Sequence, residues 1–156
     1  MREKEAGCLC LREAKGGDLA AIVRLERYLF PPEIAFGRDR WRYLLERARG
    51  KVWLLHDARG ELMAYLCVLE HRGWQRLVVQ TLAVHWRLSR KGWGRWLMMR
   101  LIEWAREQGW RSIRLEVSER NEEGLGLYAS LDFHQVALLR DYYGPRHHGQ
   151  RRVLVL

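Results

Sequence analysis

The chain has 156 residues, 48% apolar and 30% charged, with a net charge of +9. That balance describes a folded chain with room for a core and excludes a disordered one. The apolar stretch Leu62 to Leu69 is too short to span a bilayer, Met1-Arg2-Glu3-Lys4-Glu5 lacks the apolar core of a signal peptide, and the sparse cysteines, Cys8, Cys10 and Cys67, form no metal-like pattern and fit a reducing cytoplasm.

Alternation over residues 8–13 predicts a first strand. Asp18 is placed to cap a helix over Leu19–Leu29, whose apolar residues Leu19, Ile22, Val23, Leu25, Tyr28 and Leu29 share a face. Pro31-Pro32 ends it. A second helix is expected over 39–48 with Trp41, Leu44 and Leu45 inward. Val52–His56 and Leu62–Leu69 read as a hairpin around Asp57-Ala58-Arg59-Gly60, and Arg76–His85 as a long strand. The main helix should span 93–108, with Trp96, Leu97, Met99, Leu101, Ile102, Trp104 and Ala105 as its apolar face and Gly109 as its stop. Ser112–Val117 is a strand, Asn121 caps a helix to about Leu131, and Phe133–Leu139 is a strand. Pro145–Gln150 is a polar loop before a closing strand, Arg151–Leu156. The order β α α β β β α β α β β predicts one α/β domain over residues 1–156, a mixed sheet with helices on both faces.

Between the long strand and the main helix stands Arg90-Lys91-Gly92-Trp93-Gly94-Arg95. Glycines let backbone approach a ligand closely, and a helix start offers unpaired N–H groups and partial positive charge. With Arg90, Lys91 and Arg95 adding formal charge, the turn is a candidate cradle for a pyrophosphate-bearing cofactor. It is neither a dinucleotide fingerprint, since Leu97 occupies the third glycine position, nor a P-loop, which needs Gly-Lys-Ser/Thr. The net charge has three readings: a solvated arginine-rich surface, attraction to an anionic cofactor, and docking on a ribonucleoprotein. The basic residues are dispersed through every segment, which argues against a dedicated nucleic-acid arm.

Thr81-Leu82-Ala83-Val84-His85 followed by this basic turn resembles the central motif of the GCN5-related N-acetyltransferases. Leu115-Glu116-Val117, Asn121, Leu127-Tyr128-Ala129-Ser130-Leu131-Asp132-Phe133 and Arg140-Asp141-Tyr142-Tyr143 continue the pattern in order. From Leu82 onward the chain is similar to the RimI type, which acetylates the N-terminal alanine of a ribosomal protein. It departs in having Ser89 where the family usually carries Gln or Arg, Trp86 where Pro is common, and Asp132 where Gly is common.

The resemblance implies the family's fold, a mostly antiparallel sheet splayed at the cofactor site, and acetyl-CoA as donor with no metal. The diphosphate would sit on residues 90–95, and the pantetheine arm would run beside Leu82, Ala83 and Val84. Asn121 would contact the cofactor, although capping alone would explain it. Glu116 is implied as the base and Tyr128 as the acid that protonates the thiolate. Each has an ordinary alternative: Glu116 as an ion-pair partner of Arg114 or another arginine, Tyr128 as a packing residue with its hydroxyl at the edge. Phe30 and Glu33, between the first two helices, and Tyr142 and Tyr143, on the last hairpin, are the implied acceptor-binding residues; the tyrosines read equally as ordinary hairpin aromatics. His147 and His148 read as surface residues. The acceptor is a primary amine, either a protein N-terminus or a small amine such as a polyamine. A non-enzymatic CoA- or ribonucleoprotein-binding module is the remaining alternative.

Overall fold

The computed structural model describes residues 9–156, so Cys8 of the expected first strand and the opening Met1–Glu5 lie outside the described residues. Seven strands and four α-helices follow in the order β1 (Cys10–Glu13), α1 (Leu19–Leu29), α2 (Arg38–Glu46), β2 (Gly50–His56), β3 (Leu62–His71), β4 (Arg76–Val84), α3 (Trp93–Glu107), β5 (Ser112–Ser118), α4 (Glu122–Ser130), β6 (His134–Leu139) and β7 (Gly149–Val155). The strands hydrogen-bond in the order β1-β2-β3-β4-β5-β7-β6, a mixed sheet. Two compact units are present, one running to Val68 and including Thr81–Trp93, the other comprising Leu69–Gln80 and Gly94–Leu156.

In the first unit β1 and β2 pair antiparallel, from Cys10 opposite His56 to Glu13 opposite Trp53. Ile22, Trp41, Leu54, Tyr65 and Leu66 are buried, and the Trp41 and Tyr65 rings meet edge to face at 5.2 Å. Asp18 does not cap α1 with its side chain. Its carboxylate instead forms a two-pronged pair with Arg12, at 2.7 and 2.8 Å, and accepts from the Lys15 amide. The Arg12 bond holds the Asp18 carboxyl down at about 2. Asp18 thus occupies the expected N-cap position at the end of a 3-10 turn, Gly16–Asp18, without a side-chain cap bond to α1.

In the second unit β4 and β5 are parallel, with Arg76 opposite Ser112 and Val79 opposite Leu115. β5 and β6 both pair antiparallel with β7. α3 buries Leu97, Met98, Leu101, Ile102 and Ala105, while Met99 is exposed. The expected apolar face therefore included the wrong methionine. Positions 97, 98, 101, 102 and 105 form the continuous i, i+1, i+4 stripe, and Met99 lies off it. Gly109 ends α3 at φ +79, with Trp110 N–H donating to the Ala105 carbonyl and Gly109 N–H to that of Arg106, the paired closure that a left-handed glycine permits. β7 starts at Gly149, two residues before its expected start. Gly149 and Gln150 face Ser118 and Val117 on β5, so partners on both sides extend the strand into the polar segment. Asp132 takes φ +66, a left-handed conformation that aspartate tolerates better than most residues.

Candidate active site

In the first unit, β4 ends in half-buried Leu82, buried Ala83 and half-buried Val84. His85 Nδ1 then accepts from the Arg87 amide at 3.1 Å and opens a 3-10 turn, Trp86–Leu88. Residues 89–92 turn directly into α3. Arg90 at φ +59 and Gly92 at φ +81 are both left-handed. Arg90 and Lys91 are exposed, and Trp93, the first helical residue, is buried. Two left-handed positions, one without a Cβ, turn the backbone into the start of a 15-residue helix beside two exposed cations, an arrangement that fits a diphosphate. Arg95 has another engagement, since its Nη1 donates to Ser130 Oγ at 2.7 Å.

The segment after α1 is tightly wound. Phe30 is extended at φ −117, and Ile34 and Ala35 N–H both donate to the Pro31 carbonyl. Glu33 is exposed. Below it, Glu26 is 1% exposed; Tyr65 donates its hydroxyl to Glu26 Oε1 at 2.6 Å, and Phe36 N–H donates to Oε2 at 3.4 Å. Burial raises the Glu26 carboxyl, against the opposing pull of these bonds and of Arg40. At the surface, Tyr28 stacks on His85 at 5.5 Å, and Trp86 Nε1 donates to Tyr28 Oη at 2.5 Å.

In the second unit, alternation along β5 buries Ile113, Leu115 and Val117 and sends Arg114, Glu116 and Ser118 to the other face. Arg151 stands opposite Glu116 in register. Its Nε donates to Glu116 Oε1 at 3.0 Å, and Arg114 Nε lies 3.4 Å from the same oxygen. The candidate base is thus a two-arginine ion pair with a side chain 13% exposed. Tyr128 on α4 is buried, edge-to-face with Phe133 at 5.9 Å, and burial alone pushes its phenol up to about 12. Tyr143 is raised too, first by burial and then by Tyr142, Glu116 and Tyr128. Tyr143 therefore shares one electrostatic neighbourhood with both candidate catalytic residues. Tyr142 is exposed and meets Tyr143 edge to face at 4.9 Å. Asn121 caps α4, its Oδ1 accepting from Gly124 N–H at 2.9 Å.

Several contacts here have no sequence signature. Arg151 reaches Glu116 only through the β5–β7 register. Gly149 lies beneath Tyr143, where a Cβ would come within 2.9 Å of the ring. His147, expected at the surface, is half-buried, with Nε2 2.5 Å from Ser118 Oγ and its ring 5.1 Å from that of Tyr143. Among the described residues no group of three or more His, Cys, Asp or Glu is placed to hold a metal ion, and no helix is long and apolar enough to cross a membrane.

Comparison with known proteins identifies the family and the fold. Residues 7–133 match the model of the Acetyltransferase (GNAT) family, and the chain belongs to that family. Acetyl-CoA is accordingly its acyl donor. Among solved structures, the ribosomal-protein-S18-alanine N-acetyltransferase from Escherichia coli superposes with a TM-score of 0.85 at 21% identity, over 94% of this chain and 93% of that one. NAA60 from Arabidopsis thaliana, solved with a bisubstrate analogue, gives 0.81 at 17% identity over 94% and 97%. Spermidine/spermine N-acetyltransferase SpeG from Vibrio cholerae gives 0.75 at 19% identity over 96% and 94%. No curated protein matches by sequence.

Proposed function

We propose that this acetyltransferase modifies the α-amine of a protein N-terminus, with a ribosomal protein as the candidate substrate, and that Glu116 and Tyr128 act on the reacting groups. The observation that carries this reading is the charge around Glu116. Arg114 and Arg151 both contact its carboxylate, and Arg120 and Arg146 lie on the adjoining turn and hairpin, joined by a bond from Arg120 Nη2 to the Arg146 carbonyl. A polyamine carries several cations and would be repelled by that guanidinium cluster. A peptide N-terminus brings one cation followed by neutral peptide groups, for which the Tyr142–Tyr143 pair offers apolar faces and hydroxyls. The likeness to the Escherichia coli alanine acetyltransferase supports the same choice.

Bound acetyl-CoA supplies the activated acyl carbon; residues 90–95 would hold its diphosphate, with Asn121 and the strand Leu82–Val84 as further contacts. The acceptor must first lose a proton, which is easier for an α-amine, with a reference pKa of ~8, than for a lysine at ~10.4. Both arginine contacts fall on Glu116 Oε1. Oε2 is the oxygen we assign to the ammonium or to an intervening water. Tyr128 stays protonated throughout the neutral range. Burial raises its phenol to about 12, above the ordinary thiol range, so complete proton transfer to sulfur is unfavourable. Its role is therefore to donate a hydrogen bond to the departing sulfur, the proton itself deriving from the acceptor nitrogen.

The test is release of free thiol from acetyl-CoA with N-terminal peptides, lysine peptides and spermidine in parallel. N-terminal peptides should react fastest, and Glu116→Gln should lower kcat roughly 100-fold with acetyl-CoA binding retained. Faster consumption of spermidine would overturn the acceptor assignment, and full activity of the variant would overturn that of the base.

A further inference from the structure

Each transfer to an ammonium releases one net proton, which has to leave the site. Glu116 Oε1 is already engaged by two guanidiniums, so a second route for the proton has a use. Ser118 lies two residues along β5, on the same face. Its Oγ accepts from the Arg120 amide at 3.1 Å and lies 2.5 Å from His147 Nε2, to which the hydroxyl donates when the imidazole carries its hydrogen on Nδ1. His147 is fixed by its own backbone, donating to the Gly144 carbonyl and accepting from Tyr143 N–H. One ring face lies against Tyr143, whose other neighbours include Glu116 and Tyr128. Tyr143 is in turn seated on the bare backbone of Gly149, opposite Ser118 in register. Glu116, Ser118, Tyr143 and His147 thus form one cluster.

We propose that Ser118 and His147 form a proton relay that carries the acceptor amine's proton from the Glu116 side to solvent. This rests on the acetyltransfer reading of the same site. The ammonium N–H bond breaks and its proton passes through water to Ser118 Oγ, as the Ser118 O–H proton moves to His147 Nε2. The imidazolium so formed releases its Nδ1 proton to bulk water, and transfer of the remaining ring proton from Nε2 to Nδ1 through solvent returns the pair to its starting state. No electrons are exchanged and no further reactant is needed. Histidine suits this task because it both takes up and releases protons near neutrality. The charged and titratable groups around it are Tyr143 and Arg146 on its own hairpin, Glu116 on β5, and Glu119 and Arg120 on the turn after β5, with the His148–Asp141 pair next along the loop. His147 acts through Ser118 and water, so it is a positioning and relay residue.

The experiment is the pH dependence of kcat/KM for an N-terminal peptide in the wild-type chain, His147→Asn and Ser118→Ala, with acetyl-CoA binding and thermal melting measured alongside. The wild type should show an acid limb that depends on His147. In His147→Asn that limb should vanish, the rate near neutrality should fall roughly 10–100-fold, and added imidazole should restore part of it, with acetyl-CoA binding unchanged. Ser118→Ala should weaken the limb without altering the melt. Retention of the wild-type profile in both variants would overturn the relay while leaving acetyltransfer standing. No thiol release by the wild type with any amine would overturn both.

Discussion

Tyr65→Phe tests the buried carboxylate of Glu26, which also accepts from Phe36 N–H in the segment after α1. The substitution removes one oxygen and leaves Glu26 Oε1 without the hydroxyl that donates to it at 2.6 Å. A bond to a charged acceptor contributes about 1.5–3 kcal/mol and one to a neutral acceptor about 0.5–1.5 kcal/mol, so the cost depends on the protonation of Glu26. Burial raises the Glu26 carboxyl in the fold. Its contribution to stability is therefore complete below the unfolded value of ~4.3 and is lost as pH rises through the folded value. Without the Tyr65 hydroxyl the carboxyl rises further, and the loss with pH steepens. We expect a destabilisation of about 2 kcal/mol at about pH 8 and about 1 kcal/mol at about pH 4, read from urea midpoints at constant slope. At the higher pH this amounts to a melting shift of roughly 4–8 °C for a chain of this size. Glu26→Gln should flatten the pH dependence. Equal losses for Tyr65→Phe at both pH values, or a loss below about 0.5 kcal/mol at the higher one, would refute the reasoning.

Asn121→Ala removes the Gly124 cap and should cost about 1 kcal/mol in urea denaturation. If Asn121 also touches the donor, calorimetry will show a matching loss of acetyl-CoA affinity, and unchanged affinity would reduce it to a cap. Tyr128→Phe keeps the ring packed on Phe133 and should leave the melt within about 1 °C. It should lower kcat roughly 10–100-fold with KM unchanged, as expected for a hydrogen bond made to the departing sulfur. A parallel rise in KM would assign Tyr128 to ground-state binding instead.

The helices were the most legible part of the sequence. α1 runs over Leu19–Leu29 as its apolar spacing and Pro31-Pro32 require, and Gly109 closes α3. These features are local, and local periodicity records them. Asp18 stands at the N-cap as expected, but its carboxylate goes to Arg12, because a cap and an ion pair draw on the same group and Arg12 lies across a turn from it. The family motifs led to Glu116, Tyr128 and the basic turn, yet not to what surrounds them. Arg114 is two residues from Glu116 and was anticipated as a partner. Arg151 is far along the chain and becomes a neighbour only through the antiparallel β5–β7 register. His147 was hidden for the same reason: its partner Ser118 belongs to another strand, and no spacing rule joins them.

Arg90 accepts a backbone conformation that costs most side chains about 1 kcal/mol or more, while its neighbour Gly92 adopts a similar one freely. Glycine at position 90 would relieve that penalty but forfeit the guanidinium. Attraction through a formal charge fades as dissolved ions screen it, whereas amide hydrogen bonds are far less sensitive. If residues 90–95 hold the donor, the ionic-strength dependence of its affinity separates the share carried by the formal charges of Arg90 and Lys91 from the share carried by the peptide backbone.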